Sequence, residues 1–278
     1  MPIMITALAM LAMIAPTVEP DVVYAKVGDV ELKMDIYQPA ASAPKTNAAV
    51  VLIHGGAWIS GTRKDMGALA NYMATKGLFA ASVQYRLAPK HKWPAMLDDV
   101  QTSVRFLRTN AAKYGFDPKR IGAAGASAGG HLAIFLGTRE TRDAKPEHFS
   151  GLSSRVAAVF DIFGPTDMSR DYPATVDFLF EQVLGKKRID AAAEIRDASP
   201  LLFVKQDAAP MFIFQGLDDP LVNPNQSRYL EAKYKELSLP VEAVYIEGVG
   251  HALPVDTNDK VKKGVERGVD WLIKHLTK

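Results

Sequence analysis

The chain has 278 residues, with 33 Lys and Arg against 31 Asp and Glu and a formal net charge of +2. Apolar residues make up 48% and charged residues 23%, an ordinary globular composition that excludes a disordered or low-complexity chain. The even charge balance gives no electrostatic case for a nucleic-acid partner, and the lack of cysteine excludes disulfides, thiolate metal sites and a cysteine nucleophile.

In chain order, residues 3–15 form an apolar run broken only by Thr6 and followed by Pro16. The run is too short to span a bilayer, so no stable membrane span is expected. Residues 1–20 are expected to be a signal peptide, which implies a secreted or periplasmic protein. The alternative is an N-terminal helix packed on the body of a cytoplasmic one. No Lys or Arg precedes the run, and Met13 stands where a signal would carry a small residue. Residues 22–27, Gly28-Asp29 and residues 30–37 read as a hairpin. In its second strand Val30, Leu32, Met34 and Ile36 alternate with Glu31, Lys33, Asp35 and Tyr37. The pattern then changes to short apolar runs at 48–53, 78–83, 121–124, 156–163, 211–214 and 241–246, as in strands buried on both faces. Helical patterns lie between them at 95–114, 130–137, 225–237 and 261–276. Such alternation means an α/β sheet with helices on both faces, and residues 21–278 are expected to form one domain. The irregular segment 171–202, with a helix at 175–184, reads as a small cap on the side where functional loops lie.

Gly125-Ala126-Ser127-Ala128-Gly129 matches G-x-S-x-G, with a strand before it and a helix after it. That context is what a nucleophile elbow needs, and the helix N-terminus favours negative charge beside Ser127. A serine hydroxyl requires a base. His251 follows a strand in the loop Gly248-Val249-Gly250-His251 and is the best placed of six histidines. His131 lies on the helix of Ser127 and reads as packed internally, while His91, His148 and His275 read as solvated. The orienting acid is Asp218 or Asp219, which follow another strand in Gly216-Leu217-Asp218-Asp219-Pro220. Serine, aspartate and histidine in that order match one of three known arrangements of a hydrolytic triad. His54-Gly55-Gly56-Ala57-Trp58 directly follows a strand, so the N–H groups of Gly55, Gly56 and Ala128 are the candidate oxyanion donors, with His54 holding the loop in shape. A phosphate loop would need Lys-Ser/Thr where Thr62-Arg63 stands. Trp58, Trp93, Phe178 and Phe180 are candidates to line the pocket, Trp58 first among them as a substrate-binding residue.

These motifs, in this order and over most of the chain, resemble the α/β-hydrolase superfamily. Within it they are similar to the esterase/lipase branch that contains hormone-sensitive lipase and bacterial carbohydrate esterases. Gln84-Tyr85-Arg86-Leu87-Ala88, Trp93-Pro94-Ala95-Met96-Leu97-Asp98-Asp99 and Ala198-Ser199-Pro200-Leu201 resemble further stretches of that branch. The resemblance implies a mostly parallel eight-stranded sheet and selects Asp219 as the acid, because Pro220-Leu221-Val222 follows it. It implies hydrolysis of short-chain or carbohydrate-linked (acetyl or feruloyl) esters through an acyl-enzyme, on a small-molecule or oligosaccharide substrate, with no metal or cofactor. Ala57 replaces a third glycine of the oxyanion motif, and Ala126 stands where many relatives carry an acid. Amidase, peptidase or formamidase chemistry on the same fold is the alternative, and an inactive binding protein is the second. The sequence leaves the oligomeric state open.

Overall fold

The structure is a computed structural model that describes residues 15–142, 149 and 151–278. Residues 1–14 of the segment 1–20 expected to be a signal peptide lie outside the described residues, as does His148. Among the described residues, eight strands form one sheet in the order β1-β2-β4-β3-β5-β6-β7-β8. β1 (Thr17–Val27) and β2 (Val30–Gln38) make the expected antiparallel hairpin around Gly28 and Asp29. β1 begins four residues before the expected domain boundary at 21. Pro20 sits in it at a register shift between Glu19 and Val22, and a bulge on an edge strand is where a residue without an N–H is tolerated.

β2 runs antiparallel to β4 (Phe79–Val83), and the remaining neighbours are parallel: β4 with β3 (Ala49–Ile53), β3 with β5 (Ile121–Ala126), then β6 (Val159–Ile162), β7 (Met211–Gly216) and β8 (Val241–Ile246). The alternation in β2 holds, since Leu32, Met34 and Ile36 are all buried. Asp35, which stands among the polar residues of that alternation, is nevertheless buried. The Arg63 guanidinium donates to it at 2.7 Å, and so does the Asp21 N–H at 2.9 Å.

The helices cover both faces, as expected from strands apolar on both sides. α1 (Gly67–Thr75) and α8 (Asp259–Leu276) pack on one apolar layer, built on Val50, Leu52, Phe160 and Phe212. α2 (Ala95–Thr109), α4 (Ala128–Thr138) and α7 (Asn225–Glu236) pack on the other, built on Val51, Ile53, Val159 and Ile213. The helix predicted over 95–114 is two: it breaks at Asn110, and α3 (Ala111–Tyr114) ends at Gly115 with φ 78°. α1 was missed in the sequence, because its nine residues show almost no sidedness. Between β6 and β7 lie α5 (Asp177–Leu184), α6 (Ala192–Asp197) and 3-10 turns, in the segment read as a cap.

Arg86 and Asp99 explain the two stretches that frame them. The Arg86 guanidinium reaches Asp99 Oδ1 at 2.7 Å and Oδ2 at 2.9 Å, and the Arg86 N–H adds a third bond to Oδ2 at 2.8 Å. The pair joins the loop after β4 to the start of α2, and the Asp99 side chain is only 2% exposed. Removing one partner of a buried pair leaves the other uncompensated, at about 3–5 kcal/mol. Arg86→Leu is therefore expected to destabilise the protein by about 3 kcal/mol or more in urea unfolding. Arg86→Leu combined with Asp99→Leu should recover most of that loss. A single variant as stable as wild type would contradict the assignment.

Candidate active site

Ser127 stands between β5 and the first turn of α4 with φ 56° and ψ −122°. Few L residues occupy that region, so the surroundings must impose it. The Ser127 N–H donates to Ile162 O at 2.9 Å, and the His131 N–H donates to Ser127 O at 3.0 Å. The turn leaves no room for neighbouring side chains. A Cβ on Gly125 would lie 2.2 Å from Gly129 O, and one on Gly129 would lie 2.0 Å from Ile53 O. Both glycines of the pattern are thus required by close backbone approach. α4 is buried along its whole length. The first N–H groups of a helix have no partner within it, and Ala128, first in α4, lines the same cavity as Ser127.

β7 and β8 bring the acid and the imidazole together. His251 Nδ1 and Asp219 Oδ2 are 2.7 Å apart. Asp219 Oδ2 also accepts from Gln215 Nε2 at 3.1 Å, and Oδ1 accepts from the Leu221 and Val222 N–H groups at 2.9 Å each. Burial pushes this carboxyl up. The bonds from His251, Val222 and Leu221 outweigh burial and hold it below the usual carboxylate range. Asp218 is exposed and uses its backbone instead, donating to Val249 O at 3.0 Å. With Nδ1 committed to Asp219, Nε2 of His251 is the ring nitrogen left for a substrate or hydroxyl. The ring faces Phe163 at a centroid distance of 4.4 Å, and His251 lines one cavity with Ser127.

The loop after β3 folds into a tight turn in which the Ile59 and Ser60 N–H groups both donate to Gly56 O at 3.0 Å. Ala57 and Trp58 take φ 52° and 62°, the conformation a third glycine would adopt freely. His54 holds this loop as expected: its Nδ1–H donates to Gly55 O at 2.7 Å, and its ring stacks on Tyr85 at 4.3 Å. Burial lowers the pKa of this imidazole. Of the three candidate donors, Ala128 lines the cavity. Gly55 packs against Ser127, since a Cβ there would lie 3.3 Å from Ser127 Cβ. Gly56 shapes the turn, and Ala57, not among the candidates, lines the cavity.

The cavity holds about 140 Å³, and Met168, Val176, Leu179, Phe180, Val183 and Leu184 line it together with Ser127 and His251. Most of those residues come from α5 and its flanks, so the segment 171–202 contributes to the wall of the site. Trp58 and Phe180 line it, whereas Trp93 is turned to Asp197, to which its indole N–H donates at 2.8 Å, and Phe178 is 59% exposed. His131 is buried behind Trp58. Trp58 Nε1–H donates to His131 Nδ1 at 3.3 Å, so Nε2–H donates to Ala198 O at 2.8 Å and the ring is neutral. Burial, only partly opposed by the Ala198 bond, lowers its pKa to about 4. His275 is half-buried on Trp271 rather than solvated.

Gln215 and Phe163 were missed in the sequence. A polar residue ending the apolar run of β7 was a usable signal for Gln215. Phe163 merely completes an apolar strand and carries no signal.

A family model described as BD-FAE matches residues 34–234. Esterase LipC of Mycobacterium tuberculosis is 34% identical over 227 residues, 78% of this chain and 56% of that protein. Esterase LipQ of the same organism is 31% identical over 88% of this chain and 60% of its own length. The chain thus spans little more than half of these curated relatives. Two solved structures are matched along nearly their whole length. A truncated carbohydrate esterase from gut microbiota superposes with a TM-score of 0.78 at 27% identity, covering 94% of this chain and 98% of that one. A thermophilic esterase from Thermogutta terrifontis with propionate bound gives 0.78 at 28% identity, over 94% and 95%.

The neutral His131 has a consequence for stability. Its folded pKa of about 4 lies below the ordinary value of about 6.5. Between those values the unfolded chain binds a proton that the folded protein refuses, so stability falls as pH drops from about 6.5 toward 4. Between pH 7 and pH 5 the wild type should lose about 2 kcal/mol more than His131→Gln in urea unfolding. Parallel pH dependences in the two proteins would contradict a neutral buried imidazole.

Proposed function

The chain belongs to the BD-FAE family, and we propose that it is a serine esterase of short-chain carboxylic esters with Ser127 as nucleophile, His251 as base and Asp219 as its orienting acid. The observation that supports this most is one cavity lined by both Ser127 and His251, with the Asp219 carboxylate 2.7 Å behind the imidazole. In the proposed cycle the Ser127 hydroxyl attacks the ester carbonyl carbon as His251 Nε2 takes its proton. Asp219, charged and hydrogen-bonded, stabilises the imidazolium that forms. The oxygen of the tetrahedral intermediate is held by N–H groups of the loop after β3 and by the Ala128 N–H at the start of α4, each donor worth roughly 2.7–4 kcal/mol. His251 returns the proton to the leaving alcohol, and water repeats the sequence on the acyl-enzyme.

The acyl side of the substrate is read from the cavity. A dry apolar cavity of about 150 Å³ takes benzene, so the 140 Å³ here suits a tail of about six non-hydrogen atoms or fewer. Its α5 wall carries no charge, which favours uncharged acyl groups. The propionate-bound neighbour and the carbohydrate esterase are in keeping with a small acyl group on a larger alcohol.

Four experiments test this. Ser127→Ala should lower kcat on 4-nitrophenyl acetate by about three decades or more, with the fold retained by circular dichroism. Asp219→Asn should reduce kcat far more than Asp218→Asn, and the reverse order would reassign the acid. In a panel of acetyl, butyryl, octanoyl and feruloyl esters, kcat/KM should peak at acetyl or butyryl and fall at least about tenfold by octanoyl. A maximum at octanoyl would refute the small cavity as the acyl site. Matched acetyl ester and amide substrates should give ester preference.

A further inference from the structure

Asp161 is a carboxyl group with no place in the cycle above. It lies on β6, fully buried, facing the layer beneath α4. Its Oδ1 accepts the Gly164 N–H at 2.9 Å, and its Oδ2 is buried without a partner. Burial, only partly opposed by the Gly164 bond, raises its pKa well above the ordinary value. Keeping an acid in such a place is costly, and a half-satisfied buried polar group calls for a physical reason.

The reason lies in what the group touches. A Cβ on Gly130 or on Gly164 would lie 2.5 Å from Asp161 Oδ1. A Cβ on Gly164 would also lie 2.6 Å from the His131 nitrogen. The carboxyl is thus wedged between the first turn of α4 and the turn formed by Ile162, Phe163 and Gly164. That turn makes two contacts with the site. Ile162 O accepts the Ser127 N–H, and the Phe163 ring lies against the His251 ring. Phe163 reaches His251 at φ 45°, a conformation bulky residues avoid. Its own N–H donates to Phe214 O at 2.8 Å, and the next N–H, that of Gly164, goes to Asp161.

We propose that Asp161 is a positioning residue: by closing the Ile162–Gly164 turn, its carboxyl sets the Phe163 ring against His251 and the Ile162 carbonyl against Ser127. The inference rests on the assignment of Ser127 and His251 as nucleophile and base. The carboxyl accepts one N–H bond, that of Gly164, and an amide of the same shape can accept it too.

The test is steady-state kinetics on 4-nitrophenyl acetate with three variants, each checked for folding by circular dichroism. Asp161→Asn keeps the acceptor and should hold kcat within about threefold of wild type. Asp161→Ala should lower kcat at least about tenfold while KM stays within about twofold, because the cavity is untouched and only the alignment of the reacting groups is lost. Phe163→Leu leaves the carboxyl in place, removes the ring from His251, and should give the same loss confined to kcat. If Asp161→Ala does not fold, the other two variants decide. Phe163→Leu with wild-type kcat, or Asp161→Asn as damaged as an inactive enzyme, overturns the inference while the esterase assignment stands. A wild type that hydrolyses no ester overturns that assignment and the positioning role with it.

Discussion

A single backbone conformation, that of Ser127 at φ 56° and ψ −122°, decides what the rest of this site must be. A residue in that region exists only where packing leaves no alternative. Here the packing is backbone on backbone: Gly125 against Gly129 O, Gly129 against Ile53 O, and the Ser127 N–H bound to Ile162 O. The conformation places the hydroxyl at the carboxyl end of a central parallel strand and the following residues at the start of a buried helix. The loops after β3, β7 and β8 converge on that point because parallel strands deliver their carboxyl ends to one edge.

The buried titratable groups around the elbow are sorted by their hydrogen bonds. Asp219 carries a charge because two backbone N–H groups, the Gln215 amide and the His251 ring all donate to it. Asp161 has one donor, and burial raises its pKa well above the ordinary value. His131 and His54 each have burial as their dominant influence, which disfavours the protonated form. The outcome is one fixed negative charge on the far side of the imidazole, and an apolar cavity on the near side. That is the field in which a developing imidazolium is stabilised and a small uncharged acyl group is accommodated.

Much of this was legible in the sequence, for reasons that can be named. Short apolar runs mark strands buried on both faces, so β3 to β7 were readable from composition, whereas β8, expected to be of the same kind, is an edge strand that is only half-buried. The elbow was readable because steric exclusion leaves a glycine at fixed distance on each side of Ser127. Asp219 was not separable from Asp218 by residue type alone; the resemblance selected it, and the two backbone N–H groups that fold onto Asp219 are what distinguish the neighbours physically. The start of β1 was hidden because Pro20 argues against a strand unless a bulge is known. Asp35 was hidden because its partner Arg63 is 28 positions away. Ala57 and Phe163 act through positive φ angles that their side chains do not advertise. Asp35, Ala57 and Phe163 thus depend on a long-range contact or on a backbone conformation, which local patterns do not encode.

The central claim, that the hydroxyl on this turn is the one made nucleophilic by His251, is tested most directly by covalent labelling. The intact chain would be treated with a fluorophosphonate and the modified peptide located by mass spectrometry, for the wild type and for His251→Ala. The account predicts one adduct per chain on Ser127 in the wild type and labelling slowed by orders of magnitude in His251→Ala. An adduct on another residue, or equal labelling rates in the two proteins, would contradict it.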